Sequence, residues 1–188
     1  MEWMKWLEGR MSMARVRKVV EATAHDGEAI TMLCRLVLDD AAEARKAMYA
    51  AWVLTHLSPA DKQEFVLPFC DAFTDKILSG TLPFRPGLLL SLLYDLAPET
   101  TMQRADLFDY CLHGITDGAQ HDSCRSLMIK LAARMARPYP ELQAELQETL
   151  QLLPPGLPPS IECAKRKVMN PTPKRPRKNS PTGLPGQN

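Results

Sequence analysis

The chain has 188 residues, 45% hydrophobic and 24% charged, which suits one compact domain with a tail and is too apolar for a wholly disordered protein. Aromatic residues reach only 6%, and β-branched residues are sparse beside Leu, Ala and Met, so the composition argues against a sheet sandwich and predicts an all-α fold. The formal net charge of +1 hides an asymmetry: residues 1–153 hold sixteen basic against twenty-one acidic side chains, −5, whereas residues 154–188 hold seven Lys/Arg against one acid.

The start, Met1-Glu2-Trp3-Met4-Lys5-Trp6, mixes acid and base with no apolar run, so no export signal is expected. Trp3, Trp6 and Leu7 suit a helical cap over Glu2–Thr23, broken near Ser12. Helices are then predicted over 27–38, 41–57, 59–78, 84–97, 99–116, 122–137 and 139–153. No apolar stretch approaches the ~20 residues of a membrane-spanning helix.

The strongest signal is self-similarity at a period of 40. Arg45, Arg85 and Arg125 share one phase, as do Ala44, Phe84 and Cys124, then Met48, Leu88 and Met128, then Trp52, Leu92 and Ala132. Those offsets describe one helical face, predicted to be the buried one, with Trp52 in a core slot. The three segments stop together at Ser58, Pro98 and Pro138, and each stop carries the start of a partner helix. In Ser58-Pro59-Ala60-Asp61 a capping hydroxyl precedes a first-turn proline and an acid near the positive helix end. Pro68, inside Glu64-Phe65-Val66-Leu67-Pro68-Phe69-Cys70, removes one backbone bond and predicts a kink.

These residues resemble the HEAT repeats of the armadillo-like α-solenoids. The likeness rests on a helix with an interior proline, Phe65-Val66-Leu67-Pro68-Phe69, and on a turn leading to an arginine near the next helix start. The second feature occurs in Asp39-Asp40-Ala41-Ala42-Glu43-Ala44-Arg45 and again in His121-Asp122-Ser123-Cys124-Arg125. It departs from the pattern at Pro86-Gly87 and at Gln120, which stands where Asp40 would recur. The resemblance implies an α-α superhelix of helical hairpins: a cap over 1–25, repeats over 26–153, and a tail over 154–188. It also implies a non-enzymatic scaffold that holds a protein or peptide on its curved face, with second helices lining that face. Lys46, Leu90, Tyr94, Lys130 and Arg134, off the core offsets, are the expected partner-contacting positions. The three arginines are expected to span to neighbouring turns and hold the repeats in register.

Catalysis has no anchor in the sequence, which lacks a Gly-rich phosphate loop, a nucleophile elbow and a His-Glu-x-x-His motif. Cofactors and small-molecule substrates are not expected. Some solenoids of this kind act on alkylated DNA bases through a cationic face, and the −5 body argues against that activity. Asp71 with Asp75, and Asp106 with Asp109, read as solvated acidic faces. Cys111 and His113 followed by His121 and Cys124 have ligand-like spacing, but 111 and 113 point to different faces of one helix and 124 holds a core phase. The odd set of Cys34, Cys70, Cys111, Cys124 and Cys163 reads as free thiols and predicts a cytoplasmic location, or a nuclear one in a eukaryote.

From Pro154 onward nine of 35 residues are proline, so 154–188 is predicted to be a disordered basic tail. Lys165, Arg166, Lys167, Lys174, Arg175, Arg177 and Lys178 read as sequence-independent nucleic-acid contact, the alternative function, as an address resembling a two-cluster nuclear localisation signal in a eukaryote, or as a solubilising tail.

Overall fold

The computed structural model describes residues 2–96 and 104–170, and among them every regular element is helical. A 3-10 helix at Glu2–Leu7 is followed by α1 (Met13–Thr23), α2 (Gly27–Leu38) and α3 (Ala44–Thr55). The break between the first two is set by Ser12, whose side chain caps α1 by accepting from Arg15 N at 3.3 Å. Asp26 caps α2 in the same way, accepting from Ala29 N at 3.0 Å. Asp39 folds the next connection into a turn by accepting from Ala41 N at 2.9 Å, which delays α3 to residue 44 against the expected 41.

The helix expected over 59–78 is deformed over its middle third. A turn of α4 (Pro59–Asp61) widens into a π segment at Lys62–Val66, tightens to 3-10 at Leu67–Phe69, and resumes as α5 (Cys70–Leu78). Pro68 has no N–H to donate, and its ring crowds the carbonyl four residues back, so the register changes while the path continues. The chain proceeds through α6 (Gly87–Leu96), α7 (Ala105–Thr116), α8 (Asp122–Met135) and α9 (Pro140–Gln151). The expected helix start at Pro98-Glu99-Thr100 lies outside the described residues.

The helices form two layers. In the first, α2 packs on the 59–78 path, which packs on α7, which packs on α9. In the second, α1, α3, α6, α8 and α10 (Pro159–Met169) follow one another, and each hairpin joins the layers. One continuous core fills the space between them, from Trp3 and Leu7 through Leu33, Leu54, Phe73, Leu92, Phe108 and Ile129 to Leu150 and Ile161. The expected N-terminal cap is therefore the 3-10 helix plus α1, which takes a second-layer place beside α3. Gly27 allows the layers to meet closely, because a Cβ there would lie 2.7 Å from the Phe65 ring.

Two expectations need correction. The segment from residue 154 is not a coreless tail along its first half: α10 buries Ile161 and Ala164 and packs on α8. Its apolar positions 161, 164 and 168 recur at helical spacing, and Pro159 occupies the first turn, where its missing N–H costs nothing. Second, the 40-residue phase does not mark one buried face throughout. Met128 and Ala132 are buried, but Met48, Leu88 and Trp52 are half-buried. The open face falls on Met48 and Trp52 in α3, on Leu88, Ser91 and Tyr94 in α6, and on Leu127, Lys130 and Arg134 in α8, so it shifts along the phase from repeat to repeat.

Candidate functional site

Three of the five expected partner positions come together. Tyr94 on α6 and Lys130 on α8 line a cavity of about 400 Å³ that opens between α6, α8, α9 and α10. Arg134, one turn beyond Lys130, sets its guanidinium over the Tyr94 ring at 5.3 Å from the centroid, and its Nη1 donates to the Tyr94 carbonyl. The ring is thus braced from below by a cation on the neighbouring helix. Lys46 lies elsewhere, on α3, with Glu8 at 3.7 Å and Glu43 at 3.9 Å. Leu90 is corrected: it is fully buried. Helix α6 runs between α3 and α8 and is apolar nearly all round, so the off-phase position also faces protein.

The floor of this cavity is small and apolar, with Ala133, Ala136 and Leu146 from one side and Ala164 and Val168 from α10. Its rim carries Lys130, Arg137 and Lys167, together with Gln143 and Gln147 of α9, and no carboxylate lines it. Glu145 and Glu148 of the same helix are exposed away from the cavity. A second cavity, of about 600 Å³, lies at the N-terminal ends of the same layer and is lined by Met48, Phe84, Arg85, Leu88 and Leu127 among others. Leu127 and Lys130 are three residues apart on one face of α8, about 4.5 Å along its axis, so the two cavities adjoin.

A family model described as HEAT repeat domain matches residues 3–172, nearly the whole of the two-layered stack including α10. The chain belongs to the HEAT repeat domain family. No curated protein and no solved structure matches it. Ionic contacts tie the HEAT array together both within and between hairpins. Lys62 Nζ donates to Asp95 at 2.6 Å and to the Thr55 carbonyl at 2.7 Å, and Lys76 pairs with Asp40. The Nδ1–H of His25 reaches buried Asp61 at 2.9 Å.

The other chemical candidates resolve into such contacts. Asp71, Asp75 and Asp106 converge on Arg104, with N···O distances of 3.4, 2.6 and 2.8 Å, so Asp71 and Asp75 clasp the start of α7 to α5 while Asp106 holds Arg104 from α7 itself. The hydrogen bond from Arg104 holds the Asp106 carboxyl below its ordinary range, and the bonds Arg104 donates to Asp106 and Asp75 raise its own pKa. Of the three phased arginines, Arg125 alone is buried, its Nε and Nη2 both donating to the Ile115 carbonyl at 3.0 and 2.9 Å, whereas Arg45 and Arg85 are exposed.

The Cys/His quartet is split between buried Cys111 and Cys124 and exposed His113 and His121, and His121 caps α8 by accepting from Ser123 N. No metal-holding cluster occurs among the described residues. The five cysteines are unpaired, and burial pushes the thiols of Cys34 and Cys111 up to about 12 and that of Cys70 to about 11. No described helix is long and apolar enough to cross a membrane. Gln143 and Gln147 carry no signal in the sequence, and Lys167, expected as a basic tail residue, lines this cavity instead because α10, which closes it, is not foreseen from the sequence. Lys165, Arg166 and Lys167 sit on that helix, whereas Lys174, Arg175, Arg177 and Lys178 lie outside the described residues.

Proposed function

We propose that this HEAT array is a non-enzymatic scaffold that binds a protein or peptide partner on the open face of its second layer. The observation that carries the reading is that Tyr94 and Lys130, from two successive repeats, line one groove with an apolar floor while Arg134 braces the Tyr94 ring. A half-buried aromatic braced by a cation has already lost much of its side-chain freedom, which favours it as a binding anchor. The carboxylates that a hydrolase would need are engaged by Arg104, and the thiols of Cys34 and Cys111 are buried and raised, so neither set is a nucleophile or base in waiting. Unpaired, largely buried cysteines fit a reducing compartment, the cytoplasm or a nucleus.

A photoreactive residue placed at Ser91 on the open face, and separately at Asp109 on α7, tests the reading in the source cells. The scaffold account expects a discrete adduct from position 91 and none from 109. An adduct from 109 alone would place the working surface on the first layer and overturn it.

A second reading has its own observation: α10 carries Lys165, Arg166 and Lys167, the last lining the groove, and leads into a segment with four more basic residues and no acid. That surface would draw in a nucleic acid. Its signature is an affinity whose logarithm falls linearly with the logarithm of salt, with no sequence preference.

A further inference from the structure

The two adjoining cavities differ in chemistry along one line. At the N-terminal end of α8 the walls are mainly apolar, with Met48, Leu88 and Leu127, beside Arg85, His121 and Ser123. One turn on, they become Lys130 and Lys167 around the braced Tyr94. Carboxylates line neither cavity, although the described chain carries more acids than bases. Helix α9 shows how this is arranged, with Gln143 and Gln147 facing the cationic cavity and Glu145 and Glu148 turned away.

We infer that this groove takes an acidic peptide segment of a partner protein, with an apolar side chain seated against Met48, Leu88 and Leu127 and carboxylates directed to Lys130 and Lys167. This rests on the scaffold reading above and adds the partner's chemistry to it. Charge complementarity selects the sign, because cations on a low-dielectric floor attract carboxylates and repel like charge. The chain's own residues 171–188 carry Lys174, Arg175, Arg177 and Lys178 without an acid, so they are the wrong sign to occupy it. A nucleic-acid strand meets the cations, Arg85 included, but leaves the wall of Met48, Leu88 and Leu127 without an apolar partner, whereas an amphipathic acidic peptide fills both.

The test is fluorescence anisotropy on the full chain with a labelled peptide that carries a leucine pair ahead of a glutamate run. Saturable binding is expected, and Lys130→Glu or Lys167→Glu should each weaken it about tenfold. Lys18→Glu, an exposed lysine on α1, should leave it unchanged. Lys167 is exposed, so its reversal does not threaten the fold, and melting curves check each variant. Peptides with serines for the leucines, or lysines for the glutamates, should bind at least tenfold more weakly. Groove variants that bind like the parent chain would overturn the inference. So would a single-stranded oligonucleotide that displaces the peptide at lower concentration than the unlabelled peptide does. If position 91 still crosslinks a partner while no acidic peptide binds, the scaffold stands and the partner's chemistry is wrong. If position 91 traps nothing and only 109 does, the scaffold reading itself fails.

Discussion

Arg45, Arg85 and Arg125 occupy one phase of the repeat and meet three different surroundings. Arg125 spans to the end of α7 as the sequence reading expected, satisfying a buried carbonyl with two N–H groups, whereas Arg45 forms an exposed pair with Glu43 at 2.9 Å. Removing the former strands the Ile115 carbonyl away from water, and removing the latter gives up a contact that solvent already screens. Arg125→Met is therefore expected to cost about 1.5–3 kcal/mol and Arg45→Ala less than about 0.5, measured by urea denaturation. Equal losses would mean that Arg125 is solvated and the packing of α7 on α8 is different. The shared phase is legible in the sequence. Which member is buried is not, because Arg125 is covered where α7 and α8 meet, a contact that a local pattern does not contain. Leu90 misleads for the opposite reason: Leu89-Leu90 and Leu92-Leu93 make α6 apolar on both flanks beside its one open face, and that signal of burial is readable in the sequence.

Among the elements, α10 decides how far the repeat stack extends. Averaging 154–188 as one proline-rich window mixed an eleven-residue helix with the basic segment beyond it and hid the spacing of Ile161, Ala164 and Val168. Because Ile161 is wholly buried against the stack, Ile161→Ala is expected to destabilise the chain by about 2–5 kcal/mol in chemical denaturation. A loss below about 0.5 kcal/mol would show that α10 does not dock. The clasp at the start of α7 makes a prediction in pH. Asp106 titrates below its ordinary 3.8 in the folded chain because Arg104 favours its charged form, so its contribution is present above that value and is lost as pH falls through the lower folded one. Arg104→Gln should thus melt below the parent chain at neutral pH, and the gap should close under strongly acidic conditions. A gap that persists unchanged in acid would assign the effect to packing alone.

For the whole molecule, the two-layered architecture was legible because it follows from a repeated local pattern in which each helix pair buries its apolar face against the next. The offset of the layers was not, since it depends on α1 lying beside α3 and α10 lying beside α8, placements that no single segment encodes. The groove inherits that division. Tyr94, Lys130 and Arg134 stand out as polar or aromatic breaks in apolar helices, whereas Lys167 and the glutamines of α9 join them only through the final hairpin. The claim that binding happens on the second layer is tested most directly by hydrogen–deuterium exchange on the full chain, with and without the leucine-glutamate peptide at saturation. Slowed exchange is expected in peptic fragments from α6, α8 and α10, with α2, α5 and α7 unchanged. Protection confined to α2, α5 and α7 would contradict the account.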